Sequence, residues 1–183
     1  MVGKLREIEE SVSDGAAEID IVITREHVLT GNWKALYDEM RDFRAACGQA
    51  HVKAILATGD IRTLRNVARA AMVCMMAGAD FIKTSTGKVT PAATLPVTLV
   101  MLEAIREHWN RTGRVVGMKP AGGIRSAKEA IQYLVVVHET LGPEWLTPGR
   151  FRFGASSLVN DLLMQLEKEA TGAYADPDDF TLD

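Results

Sequence analysis

Five short β-rich runs recur along the chain at intervals of roughly 30 to 35 residues, the length of one βαβ unit. They are Ala17–Thr24, His51–Thr58, Asp80–Thr84, Arg114–Lys119 and Phe151–Ala155. Their centres, such as Ile19-Asp20-Ile21-Val22-Ile23 and Val115-Val116-Gly117-Met118, are nearly continuous apolar runs. A strand wetted on one face alternates apolar and polar residues, so runs of this kind predict parallel strands covered on both faces. The intervening segments have helical spacing. One stripe runs through Trp33, Leu36, Tyr37, Met40 and Phe43 toward Gly48. A second runs through Leu64, Val67, Ala71, Met72, Met75 and Met76 toward Gly78. A third runs through Leu99, Leu102, Ile105 and Trp109 to Gly113. Ser126-Ala127-Lys128-Glu129 reads as a capping box at the start of a fourth helix that Gly142-Pro143 closes. A last helix is expected from about Ser157 to Ala170.

Strands alternating with helices in this order predict a parallel α/β fold. A doubly wound sheet would carry its glycine-rich loop after the first strand, but there the chain reads Thr24-Arg25-Glu26-His27. The glycine-rich turns come instead after the last two runs, at Gly122-Gly123 and Gly154-Ala155-Ser156-Ser157. In (β/α)8 barrels the loops after strands 7 and 8 frequently hold a phosphate. If these are those loops, the first run is strand 4. The chain is then expected to hold the C-terminal five β/α units of a TIM barrel, whose full length is typically about 250 residues.

The 183 residues suit one domain, expected over residues 1–171, followed by an acidic tail over 172–183 without periodicity. A net charge of -3 and a pI near 5.8 give no general attraction for nucleic acid or an anionic membrane, so any bound anion must be met by a local site. The most apolar stretch, Ala68 to Ala79, is broken by Arg69 and too short to span a bilayer; Met1 to Arg6 has no signal-peptide core. Cys47 and Cys74, both in helical patterns, read as buried free thiols, and the default compartment is the reducing cytoplasm. The four histidines show no metal-ligand spacing and read as surface or capping residues. Trp33, Trp109, Trp145 and the Met72-Met75-Met76 group read as packing.

Polar residues at strand ends are the ones a barrel aims at its substrate. Asp20 interrupts an apolar run, and Lys83 and Lys119 each close one. A carboxylate there is either half of a structural salt bridge or the partner of the two lysines. An amine attacks a carbonyl only when neutral, and a neighbouring ammonium disfavours its charged form. The three residues therefore fit nucleophile, charge-tuning lysine and proton carrier, with plain phosphate-binding lysines as the alternative. Thr86-Gly87-Lys88 lacks the rest of a Walker pattern. Taken with Gly122, Gly123, Arg125, Gly154, Ser156 and Ser157, it reads as backbone N–H groups and a cation assembled for a sugar phosphate.

Four runs carry a family resemblance: Glu18 to Ile23, Ala79 to Lys88 (A-D-F-I-K-T-S-T-G-K), Gly117 to Arg125 (G-M-K-P-A-G-G-I-R) and Phe151 to Ser157 (F-R-F-G-A-S-S). Together they resemble the deoxyribose-phosphate aldolases over nearly the whole chain. The resemblance implies a class I lyase, free of metal and other cofactors. Such an enzyme reversibly cleaves 2-deoxy-D-ribose 5-phosphate to D-glyceraldehyde 3-phosphate and acetaldehyde in deoxyribonucleoside and carbohydrate catabolism. By motif position it makes Lys83 the Schiff-base residue, with Lys119 and Asp20 as proton donor/acceptors and Lys119 also tuning Lys83. Gly87, Lys88, Gly122, Gly123, Gly154, Ser156 and Ser157 become the phosphate cradle. The expected partner is a small sugar phosphate, with a homo-oligomer possible and no nucleic acid or membrane. The pattern departs from the family in three places: the first three strands, Ala92 in place of part of Val-Asn-Ala-Thr, and Tyr174, which is followed by nine further residues where bacterial members end in tyrosine. Two other readings follow: a related Schiff-base or sugar-phosphate enzyme, or a catalytically impaired truncated product acting through interactions.

Overall fold

The computed structural model describes residues 2–176; most of the expected acidic tail, residues 177–183, lies outside the described residues. The chain runs α1 (Val2–Ser13), β1 (Glu18–Val22), α2 (Arg25–Leu29), α3 (Trp33–Cys47), β2 (His51–Ile55), α4 (Leu64–Ala77), β3 (Phe81–Lys83), α5 (Leu95–Thr112), β4 (Gly117–Lys119) and α6 (Ala127–Leu141). A 3-10 turn (Pro143–Trp145) and α7 (Leu158–Thr171) follow. The four strands are parallel and lie side by side in sequence order. A doubly wound sheet reverses its strand order at a switch point, whereas a barrel adds strands consecutively. This sheet is therefore an arc of barrel wall.

The fifth predicted strand, Phe151–Ala155, is instead two isolated parallel bridges, Met118 to Phe151 and Ala121 to Gly154. Met118 exchanges backbone bonds with Arg150 and Arg152, and Gly154 donates to the Pro120 carbonyl. Between them sits Pro120, which has no N–H to give, so the ladder breaks where the next rung would fall. The other predicted runs shorten at their ends but keep their pairing.

Helix ends follow the sequence signals. Asn32, Thr63, Thr94 and Ser126 side chains each accept a backbone N–H of the first turn, Ser126 in a full capping box. Thr94 supplies the start of α5, so the altered Ala92 segment leaves that helix capped. Leu36, Met40, Phe43 and Cys47 of α3, Val67, Ala71, Cys74 and Met75 of α4, and Met101, Leu102 and Ile105 of α5 bury one stripe each against Ile21, Val52, Ala54, Ile82 and Met118. Each Val, Leu, Ile, Phe or Met side chain among them contributes about 1.5–3 kcal/mol relative to exposure. Both cysteines are buried free thiols. Trp145 is fully buried, donates to the Val116 carbonyl and meets Trp109 edge-on at 5.0 Å.

Packing expectations are corrected at four positions: Leu64 and Leu99, read as part of the apolar stripes, are exposed, and Met76 and His108 depart as well. Met76 is 58% exposed, because its position on α4 turns away from the sheet. His108 is buried rather than superficial: α5 directs it inward, where its Nε2 has no hydrogen-bond partner and burial lowers its pKa. At one end of the arc no described strand pairs with the outer edge of β1. At the other, Val159, Leu162, Leu163 and Leu166 form an exposed i, i+3, i+4, i+7 stripe on α7.

The amino-terminal face of the sheet is held by Asp80. Its carboxylate takes Arg44 Nη1 at 2.7 Å, Arg114 Nη2 at 3.1 Å and the Val52 N–H at 2.9 Å. The same two arginines donate to the carbonyls of Gly48, Ala50, Met75, Gly78 and Ala79. Charge-assisted bonds of this kind contribute about 1.5–3 kcal/mol each. Because the part-exposed arginines keep their carbonyl partners and regain water, Asp80→Ala is expected to cost less than the three bonds summed, about 2 kcal/mol, and to lower the melting midpoint by roughly 4–8 °C, read by thermal and urea denaturation.

Candidate active site

Side chains alternate along a strand, so β1 turns Ile19 and Ile21 toward the helices and Glu18, Asp20 and Val22 into the arc. Strand register sets the rest. Asp20 lies beside Lys53 of β2, which pairs with Phe81 of β3 and then Gly117 of β4. One step further on, Val22, Ile55, Lys83 and Lys119 form the next layer. Lys83 and Lys119 are thus direct neighbours on adjacent strands, with strand axes about 4.8 Å apart. Gly117 has to be bare, because the Phe81 ring occupies the volume of any side chain there.

Asp20 is the point on which the lysines converge. Its Oδ2 accepts Lys83 Nζ at 2.6 Å and lies 3.8 Å from Lys119 Nζ; its Oδ1 lies 3.0 Å from Lys53 Nζ. Lys53, only 6% exposed, also holds Glu18 at 2.6 Å, and Glu18 accepts Arg152 Nη1 at 2.7 Å from across the arc. Asp20 is therefore both a member of an interior salt-bridge network and the partner of the two strand-end lysines. Four cationic side chains share two carboxylates, which leaves an excess of positive charge inside the arc.

Burial and the pairing of these charges decide how Glu18, Asp20, Lys53 and Lys119 titrate. Arg152 and then Lys53, by hydrogen bonding, bring the Glu18 pKa down from 4.5 to about 2. Burial works to raise Asp20, but hydrogen bonds from Lys83 and Lys53 outweigh it and hold the carboxyl below its ordinary range. Burial likewise works against the Lys53 ammonium, and its bonds to Glu18 and Asp20 reverse the outcome and raise it. Lys119 goes the other way: burial first, then the charge of Lys83, lowers its proton affinity, only partly offset by Asp20.

Above this cluster, the segment after β3 is tied to the turn after β4. Thr84 Oγ1 accepts the Ala121 N–H and, with Ser85 Oγ, donates to the Ala121 carbonyl; Ser85 Oγ then accepts the Gly87 N–H at 3.0 Å. Gly122 has φ +85°, and a Cβ there would come 2.7 Å from the Ala92 Cβ and 2.8 Å from the Gly87 Cα. A Cβ at Gly154 would meet Ala121 Cβ at 2.6 Å and Lys119 Cε at 3.4 Å. Both glycines are thus demanded by close backbone approach around the lysines.

Of the residues singled out from sequence, Asp20, Lys83 and Lys119 come together directly. Gly87 and Gly122 pack against each other, and Gly154 closes on Ala121. Lys88, Gly123, Arg125 and Ser156 are exposed at the same rim. Ser157 precedes α7 with its hydroxyl making no cap, so that helix start keeps unbonded N–H groups. Sequence reasoning missed Lys53, Glu18 and Arg152. The signal for Lys53 was present: it sits mid-run in His51-Val52-Lys53-Ala54-Ile55, in phase with Asp20 once the strands are paired. Among the described residues no cluster of three or more His, Cys, Asp or Glu side chains could hold a metal ion, and no helix is long and apolar enough to cross a membrane.

An acid whose pKa falls on folding binds fewer protons in the folded than in the unfolded state. Glu18 therefore contributes its stabilisation fully above pH 4.5 and loses it as the pH falls toward 2. Stability measured by urea denaturation across that window should fall less steeply in Glu18→Gln than in the parent chain.

The model of the DeoC/LacD family aldolase matches residues 1–163. Human deoxyribose-phosphate aldolase is 59% identical over 172 residues, 94% of this chain and 54% of the human protein. The bovine enzyme of the same name is 58% identical over the same shares. This chain spans about half the length of the curated relatives it matches. Among solved structures, the apo-form of a candidate deoxyribose-phosphate aldolase from Toxoplasma gondii ME49 superposes with a TM-score of 0.78 at 25% identity, covering 90% of this chain and 64% of that one. With the family model covering most of its length and the motif lysines adjacent on the predicted barrel wall, the chain belongs to the DeoC/LacD aldolase family.

Proposed function

We propose that this chain carries the reaction centre of a deoxyribose-phosphate aldolase, with Lys83 as the Schiff-base residue. The observation that carries the reading is the convergence of Lys83 and Lys119 on Asp20, at 2.6 and 3.8 Å, from registered strand ends. The names of the human and bovine relatives support the choice of 2-deoxy-D-ribose 5-phosphate as substrate.

In this reading Lys83 Nζ, after giving up a proton, adds to the substrate aldehyde carbon, and loss of water leaves an iminium. Asp20, already the acceptor for Lys83, and Lys119, which binds its proton weakly, relay the protons. A base takes the proton of the C3 hydroxyl, the C2–C3 bond breaks, and its electrons pass to the iminium to form an enamine. D-glyceraldehyde 3-phosphate departs. Protonation of the enamine carbon and addition of water then release acetaldehyde and return the free amine. The phosphate is taken by Lys88 with the backbone of Gly87, Gly122, Gly123 and Gly154 and the Ser156-Ser157 start of α7; exposed Lys88 and the close-packed glycine turns support this assignment. The local excess of positive charge assists the approach of a dianionic substrate.

The proposal treats residues 1–171 as the reacting domain and 172–183 as a tail. It places the protein in the cytoplasm, where two buried free thiols stay reduced. Self-association belongs to the same reading. The exposed α7 stripe supports it, and a deoxyribose phosphate aldolase from Aeropyrum pernix, 22% identical with a TM-score of 0.64, is described as tetrameric.

Borohydride reduction in the presence of 2-deoxyribose 5-phosphate is expected to leave a stable adduct on Lys83, located by peptide mass spectrometry, with acetaldehyde released in its absence. Lys83→Arg should abolish the adduct. Lys119→Met or Asp20→Asn should slow its formation by about 10²-fold or more while the chain stays folded. A folded parent chain that forms no adduct would sink the reading and favour a product acting through interactions. An adduct without acetaldehyde release would favour a related Schiff-base enzyme.

A further inference from the structure

The segment between β2 and α4, residues 56–63, puts no side chain into the lysine cluster; its Leu56 N–H donates to the Lys83 carbonyl at 2.9 Å, and two of its residues hold an uncommon backbone conformation. Among the described residues, Ala57 and Arg62 are the non-glycine ones with positive φ, at 54° and 69°. Such backbone persists only where its surroundings dictate it. This loop reaches the 84–94 segment, which carries Gly87 and Lys88, at three places. The Thr58 N–H donates to the Thr84 carbonyl at 3.0 Å, and Thr58 Oγ1 donates to the Ala92 carbonyl at 3.5 Å. At Gly59, a Cβ would overlap the Pro91 carbonyl oxygen and lie 3.3 Å from its carbon.

Gly59 differs in kind from Gly87 and Gly122. Its φ is not positive, so any residue could adopt its backbone, and only the Pro91 carbonyl requires it to be bare. Residues 86–91 are exposed and stand over a cavity of about 180 Å³ lined by Arg25, Ala57, Gly59, Asp60, Thr86 and Pro91. The segment is held on one side by the Gly122 turn, through Gly87 and the Ala93 N–H, and from below by the seat on Gly59 and Thr58. The Arg25 to Asp60 ion pair, 2.5 Å, links that seat to the start of α2.

We propose that Gly59 is a positioning residue for phosphate recognition: by letting Pro91 settle on the 56–63 loop, it holds Gly87 and Lys88 opposite the Gly122-Gly123 turn. This rests on the reading of that rim as the phosphate cradle. A methyl group at residue 59 lifts the segment, and displacement of a binding group by about 1 Å can cost as much as 10²-fold. The lysine cluster below is anchored through β1 to β4 and stays in place.

The test uses the 183-residue chain, inorganic phosphate as ligand, titrated by calorimetry, and acetaldehyde with borohydride as a phosphate-free probe of Lys83. Gly59→Ala should weaken phosphate binding by about tenfold or more and leave the rate of acetaldehyde trapping within about twofold. Because both changes act through the same cation, Gly59→Ala should add little on top of Lys88→Met. Thr58→Val, which removes only the bond to Ala92, should weaken phosphate by about threefold and decides the matter if Gly59→Ala does not fold. Unchanged phosphate affinity in the folded variants, additive effects with Lys88→Met, or equal loss of trapping and phosphate binding would each overturn the proposal, as would a parent chain that binds no phosphate. A parent chain that binds phosphate but is never trapped defeats the Schiff-base reading alone, and the phosphate comparison still decides the role of Gly59.

Discussion

Three lysines and an arginine project into an arc of sheet whose other face is fully committed to the helices, and they stay there because Glu18 and Asp20 meet them. A charge removed from water costs several kcal/mol unless it is paired, and stripping one partner from a buried pair costs about 3–5 kcal/mol. Lys53 is the most enclosed member, and it is also the one bonded to both carboxylates. That double pairing frees Asp20 from depending on Lys83 alone. If Lys83 surrenders its proton and becomes neutral, Asp20 remains bonded to Lys53 and within reach of Lys119. The network can therefore lose one positive charge without leaving a carboxylate stranded. A simple two-residue salt bridge in the same place could not.

The two ends of the sheet divide their tasks in the way a barrel does. At the amino-terminal end, Asp80 gathers two arginines that in turn hold five carbonyls of neighbouring loops, so the strands are fixed against one another. At the carboxyl end, polar links run between segments that carry the candidate chemistry: Thr84 and Ser85 to Ala121, Gly122 to Gly154, Thr58 to Thr84. Rigid fixing at one end is what allows close, side-chain-free approach at the other. Gly122 and Gly154 tolerate no Cβ because the backbones around them are already held.

Much of this was legible from local signals. Ser126 started a helix, and Gly78 and Gly113 ended helices, where the sequence placed those boundaries, because capping is decided within a turn or two. Asp20, Lys83 and Lys119 stood out as charges within or at the ends of apolar runs. Lys53 did not, because its importance depends on register: only once Glu18 pairs with His51 does Lys53 fall beside Asp20. Arg152 was hidden for a stronger reason, since its partner Glu18 lies 134 residues away in sequence. His108 and Met76 were misread because a helical stripe gives a period but not the exact rotation of the helix against its neighbours. The split fifth strand was readable in principle from Pro120, but on the partner strand rather than on the segment it interrupts.

The candidate reacting groups Asp20, Lys83 and Lys119 lie on β1, β3 and β4, and this separates two properties that a closed barrel combines. The proximity of Lys83, Lys119 and Asp20 is fixed by parallel register and needs no further wall. Exclusion of water is different: the free edge of β1 and the uncovered α7 stripe mark the two margins of the arc, and side-chain burial at the cluster is uneven between them. Lys53 is 6% exposed, while the Asp20 side chain, on the edge strand, keeps 29% of its surface. Electrostatic interactions strengthen as water leaves a site. Covering the β1 edge would therefore act chiefly through Asp20, raising both the cost of its ionisation and the strength of its bonds to the lysines. The convergence of Lys83 and Lys119 on Asp20 is present in the arc itself; how strongly the charges around it act is set at the margin where Asp20 meets solvent.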